Sequence, residues 1–181
     1  MAILISLLRG INVGGNNILT MRELTEIYQN LGYSGVKTYI QSGNVVCHSS
    51  SGNTEELRQS VSAAIGERYG FTPRLIIISL PELQSIIAAN PFAEAEGAPK
   101  SLHFFFLEQA PPAPDIPRLE SLKEQSEHFA LIGRVFYLHA PNGIGRSKLA
   151  ANAETALGVP VTARNWNTVR KLSAMGEEIQ E

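Results

Sequence analysis

The stretch Ala2-Ile3-Leu4-Ile5-Ser6-Leu7-Leu8-Arg9 decides the fold, because Leu102-His103-Phe104-Phe105-Phe106-Leu107 repeats its character later in the chain. The first run is apolar apart from Ser6, as suits a strand covered on both faces or central in a sheet. Outward from each run the same order can be traced: strand, helix, hairpin, helix, strand. The chain therefore reads as an α+β protein built from duplicated βαββαβ, ferredoxin-like units with a C-terminal helix. The expected divisions are a first repeat at 1–79, a connecting helix and loop at 80–100, and a second repeat with the terminal helix at 101–181.

Local signals support each step. After a glycine-bearing loop from Gly10 to Leu19, Thr20-Met21-Arg22-Glu23 is a capping box, in which a hydroxyl and a carboxylate satisfy free amides at a helix start. Met21, Leu24, Ile27, Tyr28 and Leu31 then recur at helical spacing, and Gly32 can end the helix. Strands from Val36 to Gln41 and Asn44 to His48 flank Ser42-Gly43, which predicts a two-residue hairpin. Asn53 opens a second helix, and Leu75-Ile76-Ile77-Ile78 reads as a fourth strand. Ser79-Leu80-Pro81-Glu82 caps a connecting helix to Asn90, with a loop over 91–100. In the second repeat the proline-rich stretch 110–114 is a stiff connector. A helix over 116–126, a hairpin about Gly133-Arg134, a helix over 147–157 and a short strand over 161–163 follow. A terminal helix covers 166–175, and the polar residues 176–181 read as frayed.

The βαββαβ plan sets which loops meet. Strands one and two run parallel with strand three between them, so the exits of strands one and two share a sheet end. In the first repeat that end gathers Arg9, Asn12, Gly14, Gly15, Asn16, Gln41, Ser42 and Asn44. The exits of strands three and four share the opposite end. In the second repeat that end gathers Asn142, Gly143, Gly145, Arg146, Ser147, Lys148, Arg164, Asn165 and Asn167. These two polar ends are expected to face one another across a cleft between the repeats.

Each motif has a bland reading beside the functional one. Pro141-Asn142-Gly143-Ile144-Gly145-Arg146-Ser147-Lys148 joins a strand to a helix start, where glycines, free amides and two cations suit an anion. It lacks P-loop spacing and reads more simply as a turn with a serine cap and a solvated Arg and Lys. The Arg9–Gly15 segment lacks the dinucleotide-binder spacing and could be a loop whose asparagines bond its own backbone. Asn165 can cap the last helix while Trp166 covers the core, which leaves Arg164 and Asn167 unexplained. Gln41-Ser42-Gly43-Asn44 is most simply hairpin chemistry. No nucleophile elbow surrounds Ser42, the four histidines show no metal-ligand spacing, and no cofactor motif is present. Phe104 and Phe106 alternate on one strand without the basic and aromatic pattern of an RNA-binding sheet, so core packing is expected.

Composition bounds the class. The chain has 181 residues, 44% hydrophobic and 18% charged, which is enough for one medium domain or two small ones. A net charge of −2 disfavours a protein dominated by phosphate-backbone electrostatics. One cysteine, Cys47, excludes an internal disulfide and fits a reducing compartment. Residues 2–8 follow no basic segment and stop at Arg9, so they read as a strand and not as a signal peptide. No apolar run approaches a bilayer span. A cytoplasmic protein is expected.

Four ordered motifs carry a family resemblance: Arg9-Gly10-Ile11-Asn12-Val13-Gly14-Gly15, Thr38-Tyr39-Ile40-Gln41-Ser42-Gly43-Asn44-Val45, Ser147-Lys148-Leu149 and Thr162-Ala163-Arg164-Asn165-Trp166-Asn167-Thr168. Together they resemble the uncharacterised bacterial family called domain of unknown function 1697, over essentially the whole chain. The resemblance implies a soluble bacterial α/β protein and no assigned substrate or activity. The chain departs from the family pattern in lacking a basic residue near Ile18 and an aromatic near Cys47. The expected function is binding of a small polar or anionic ligand between repeats, with Arg9 and Arg164 neutralising charge and the Gly14-Gly15 and Gly143-to-Ser147 backbones donating. No general base is evident, so the reading leaves catalysis open. A nucleic-acid-binding module and a protein-interaction scaffold are the alternatives.

Overall fold

A computed structural model describes residues 1–180; Glu181 lies outside the described residues. The chain divides into two compact units. One comprises residues 1–85 with the segment beginning at Arg170, and the other comprises residues 86–169.

In the first unit, β1 (Ala2–Arg9), β2 (Ser34–Tyr39), β3 (Asn44–Ser49) and β4 (Arg74–Ser79) form an antiparallel sheet in the order β2-β3-β1-β4. The near-continuous apolar run places β1 inside, between β3 and β4. Helices α1 (Met21–Asn30) and α2 (Thr54–Tyr69) bring Leu24, Ile27, Tyr28, Leu57, Val61 and Ile65 into one core with Leu4, Leu8, Val45, Cys47, Leu75 and Ile77. The alternate β1 residues Ile5 and Leu7 are also buried, so both sheet faces are covered. Thr20 and Glu23 form the expected capping box on α1, and Asn53 accepts from the amides of Glu55 and Glu56 at the start of α2.

The second unit repeats the order. Here β5 (Leu102–Leu107), β6 (His128–Ile132), β7 (Val135–His139) and β8 (Val161–Asn165) are antiparallel in the order β6-β7-β5-β8. Numbering α3 (Leu80–Ala88) first, helices α4 (Ile116–Leu122) and α5 (Lys148–Leu157) cover one face through Leu119, Leu149, Ala153 and Leu157, against Phe105, Phe136 and Leu138. On the other face Phe104 packs edge-on against Tyr137 at 4.7 Å between centroids and, with its ring tilted, against Trp166 at 5.7 Å. The Tyr137 hydroxyl donates to the Ile86 carbonyl at 2.7 Å. Phe104 and Phe106 are 0% and 2% exposed.

Five local expectations are corrected. The first hairpin has a four-residue connection, 40–43, because Ile40 leaves the strand at φ 49° and the Asn44 amide donates to the Tyr39 carbonyl at 2.9 Å, closing the turn early. The loop over 91–100 contains a 3₁₀ turn at Ala93–Gly97. Helix α4 ends at Leu122, since Lys123 is extended and the following turn closes on itself, with Glu127 accepting from the Glu124 amide. Helix α6 (Trp166–Gln180) runs five residues beyond Met175. Its polar end is held: Glu177 accepts from Gln84, Glu178 pairs with Lys37, and Nε2 of His48 lies 2.6 Å from the Ile179 carbonyl. The last strand is also longer than expected, reaching Asn165. Among the described residues no helix is long and apolar enough to cross a membrane.

Candidate functional site

The polar residues of the first unit meet as the sheet topology requires, and they bond one another. Asn12, at φ 53°, donates its amide to the Leu19 and Gln41 carbonyls at 2.7 and 2.9 Å and accepts from the Leu19 amide at 2.9 Å. The loop leaving β1 is thereby stitched to the hairpin. Asn17 donates to Gly10 and Asn16 to Gly14, so this loop bonds its own backbone. Asn44 is buried and donates to Tyr39 and to the Ser42 hydroxyl. Gly43 is held close by sterics, since a Cβ there would stand 2.6 Å from Cδ1 of Ile11 and 2.8 Å from Cβ of Leu8. Gly14 and Gly15 are exposed, with open space beside Gly15 and only Nδ2 of Asn16, at 3.9 Å, beside Gly14, and Arg9 is exposed at the end of β1, in register with Arg74.

The second unit gathers its segments differently. Because β5 is antiparallel to both β7 and β8, its start shares a sheet end with their exits. There Ala98–Ser101, Pro141-Asn142-Gly143 and Asn167 line a hollow of about 480 Å³. The Ala140 amide donates to the Ser101 carbonyl at 2.7 Å, and the Gly143 amide to the Ala140 carbonyl at 2.8 Å, which ties these two segments together. Lys100 is exposed and Asn167 half-buried; neither side chain has a hydrogen-bond or ionic partner among the described residues. Gly143, at φ 79°, has nothing within 4 Å of a notional Cβ, so its backbone faces open space.

Arg146 and Ser147 fall instead beside a second hollow of about 520 Å³, with Asn142, Gly143, Gly145, Glu124 and Glu127. Ser147 caps α5, its hydroxyl accepting from the Ala150 amide at 3.0 Å, and Lys148 is exposed on the first turn. Asn165 caps α6 by accepting from the Thr168 amide at 3.0 Å. Arg164 lies on β8 with its side chain buried, and its guanidinium donates to the Thr162 hydroxyl at 3.2 Å and the Ala163 carbonyl at 2.9 Å. Burial holds that guanidinium down at about 10, still charged at neutral pH. Of the sequence-derived residues, then, Asn142 and Gly143 border both hollows, Asn167 joins them at the first, Gly145, Arg146 and Ser147 join them at the second, and Arg164 lines neither among the described residues.

Sequence reasoning missed Lys100, Ser101, Glu124 and Glu127. The first two were within reach, because antiparallel order alone puts the start of β5 at the exits of β7 and β8. Nothing in Glu124-Gln125-Ser126-Glu127 marks a carboxylate that folds inward. Among the described residues no group of three or more His, Cys, Asp or Glu side chains is placed to hold a metal.

Comparison with known proteins agrees with the family resemblance, and the matched range holds the first two of the four motifs. No curated protein matches the chain. A solved structure described as that of conserved bacterial protein SP0830 from Streptococcus pneumoniae is similar at a TM-score of 0.68 and 23% identity, covering 97% of this chain and 98% of that one. At that identity the likeness speaks for the fold alone. The family described as Protein of unknown function (DUF1697) matches residues 1–137, and the chain belongs to that family.

Proposed function

We propose that this protein binds a small polar or anionic ligand at the sheet end of its second unit. One observation carries the reading: three segments distant in sequence converge on one hollow, and their donors, the Lys100 ammonium and the Asn167 amide, have no partner among the described residues. A half-buried amide without a partner gains by meeting a ligand acceptor, and an ammonium beside it favours negative charge. We read the two units as repeats of one ferredoxin-like βαββαβ plan, supported by their matching strand orders. We also read the chain as a cytoplasmic bacterial protein, in keeping with its single buried Cys47, whose thiol burial pushes up to about 12. The nucleic-acid alternative needs exposed sheet aromatics, and the burial of Phe104 and Phe106 gives it no support.

The test is thermal unfolding of the full chain against inorganic phosphate, adenosine monophosphate, glucose 6-phosphate and citrate. At least one is expected to raise the midpoint with concentration, as a ligand of the folded state must, the added stability reaching about 2.7 kcal/mol at a hundredfold excess over Kd. Lys100→Ala and Asn167→Ala should each shrink that response. Equal responses in the variants and the parent chain would end the proposal for this hollow.

A further inference from the structure

The hollow beside α5 is a different kind of site. Two carboxylates, Glu124 and Glu127, and one guanidinium, Arg146, border it, with Asn142, Gly143, Gly145 and Ser147. Glu127 is only 3% exposed. One of its oxygens accepts from the Glu124 amide at 2.9 Å, while the Glu127 amide donates back to the Glu124 carbonyl at 3.0 Å, so the turn itself locks the side chain inward. The second oxygen has no donor among the described residues, and Glu127 lines the hollow. Arg146 forms no ion pair with it, and Lys123, the nearest lysine in sequence, is committed to Glu120 at 3.1 Å. A carboxylate so withdrawn from water is costly without a countercharge. It borders a hollow whose charged side chains, Glu124, Glu127 and Arg146, sum to an excess of one negative charge.

We propose that this hollow binds a small organic cation carrying a primary ammonium or guanidinium group, with Glu127 as its anchor. A donor-bearing cation fits better than a metal ion. The site offers two carboxylates, and the described residues hold no cluster of three metal-ligating acidic, His or Cys side chains. A guanidinium or ammonium can give one N–H to Glu127 and direct others at Glu124 and at the backbone of Gly143 and Gly145, beside which a Cβ would meet nothing within 4 Å. The proposal is independent of the anion site: the probes carry opposite charge, and either can fail alone.

The full chain is titrated with methylguanidinium and with methylammonium at low ionic strength, followed by backbone amide shifts and calorimetry. Tetramethylammonium, which has the charge and no N–H, and calcium are the controls. The expected result is saturable binding of at least one N–H cation, with shifts concentrated at Glu124–Glu127 and Gly143–Ser147, and none with tetramethylammonium. Glu127→Gln, which keeps a carbonyl oxygen for the Glu124 amide, should weaken binding about tenfold or more. Glu124→Gln, at an exposed position, should weaken it about threefold or less. Absence of saturable binding, undiminished binding in Glu127→Gln, an equal response to tetramethylammonium, or binding of calcium in place of the organic cations would each overturn the proposal. Should Glu127→Gln fail to fold, the shift map of the unaltered chain decides, and saturating shifts elsewhere would overturn it.

Discussion

Asn12 and His103 show how much one side chain can settle. Asn12 reads from the sequence as a possible ligand donor, but both ends of its amide are taken by Leu19 and Gln41, so its work is to hold a loop on a hairpin. His103, on β5, is nearly buried, its Nδ1 has no partner, and burial alone holds its imidazole below the usual 6.5. The pH consequence has a definite sign. Below about 6.5 the unfolded chain takes up a proton that the folded chain still refuses, so the unfolded state binds more protons and stability falls with falling pH. Above that value the two states agree and the contribution is flat. The lowered carboxylates, Glu23, Glu55 and Glu178, lose their native advantage only further down, as pH falls below their ordinary 4.5. Urea midpoints at pH 7.5 and 5.5 should therefore differ less in His103→Gln than in the parent chain. An identical difference in both would show that His103 carries none of it.

At the scale of elements, the fold was legible where local chemistry and burial agree. The apolar β1 run, the Thr20–Glu23 capping box, the Asn53 and Ser147 caps and the Gly133-Arg134 hairpin were all readable from neighbouring residues. Elements held by remote partners were not. Ile40 continues the apolar alternation of β2, yet Asn44 and Asn12 pin the backbone on either side of it and it turns out of the strand. The end of α6 is polar enough to read as frayed, but Glu178 meets Lys37 at a separation of 141 residues, which no local pattern announces. The candidate site divides the same way: Asn142, Gly143 and Asn167 were named from topology, whereas the inward fold of Glu127 depends on a turn whose register the sequence does not mark. Gly176 in α6 tests the remote packing directly. Glycine to alanine inside a helix ordinarily gains about 1 kcal/mol. Here the new Cβ would stand 2.7 Å from Cδ1 and 3.3 Å from Cδ2 of Leu80, itself buried, and overpacking of that kind costs about 1–3 kcal/mol. Gly176→Ala should thus lower stability by about 1 kcal/mol, while in a Leu80→Ala background the same change should raise it by about as much. Stabilisation in both backgrounds would mean that helix propensity outweighs the contact.

At the scale of the molecule, the first unit is discontinuous: residues 1–85 are completed by the segment that begins at Arg170, after the chain has built the second unit. That segment buries Leu172 and Met175, places Gly176 against Leu80, and joins Glu177, Glu178 and Ile179 to Gln84, Lys37 and His48. The ion pair is exposed and contributes at most about 1 kcal/mol. The two apolar side chains are the larger part, at about 1.5–3 kcal/mol each when fully buried. Their sum, about 3–6 kcal/mol, is comparable with the whole stability of a small domain, about 5–15 kcal/mol. A fragment of 85 residues already buries a smaller share of its surface than a longer chain does. Residues 1–85 alone should therefore unfold at a clearly lower urea concentration than the same residues supplied in trans with a peptide spanning 170–181, and the gain should rise with peptide concentration. A peptide carrying Met175→Ser should give less. If the fragment unfolds at the same midpoint with and without the peptide, the terminal segment is a passenger on the first unit, and the cover over Leu80 contributes nothing to its stability.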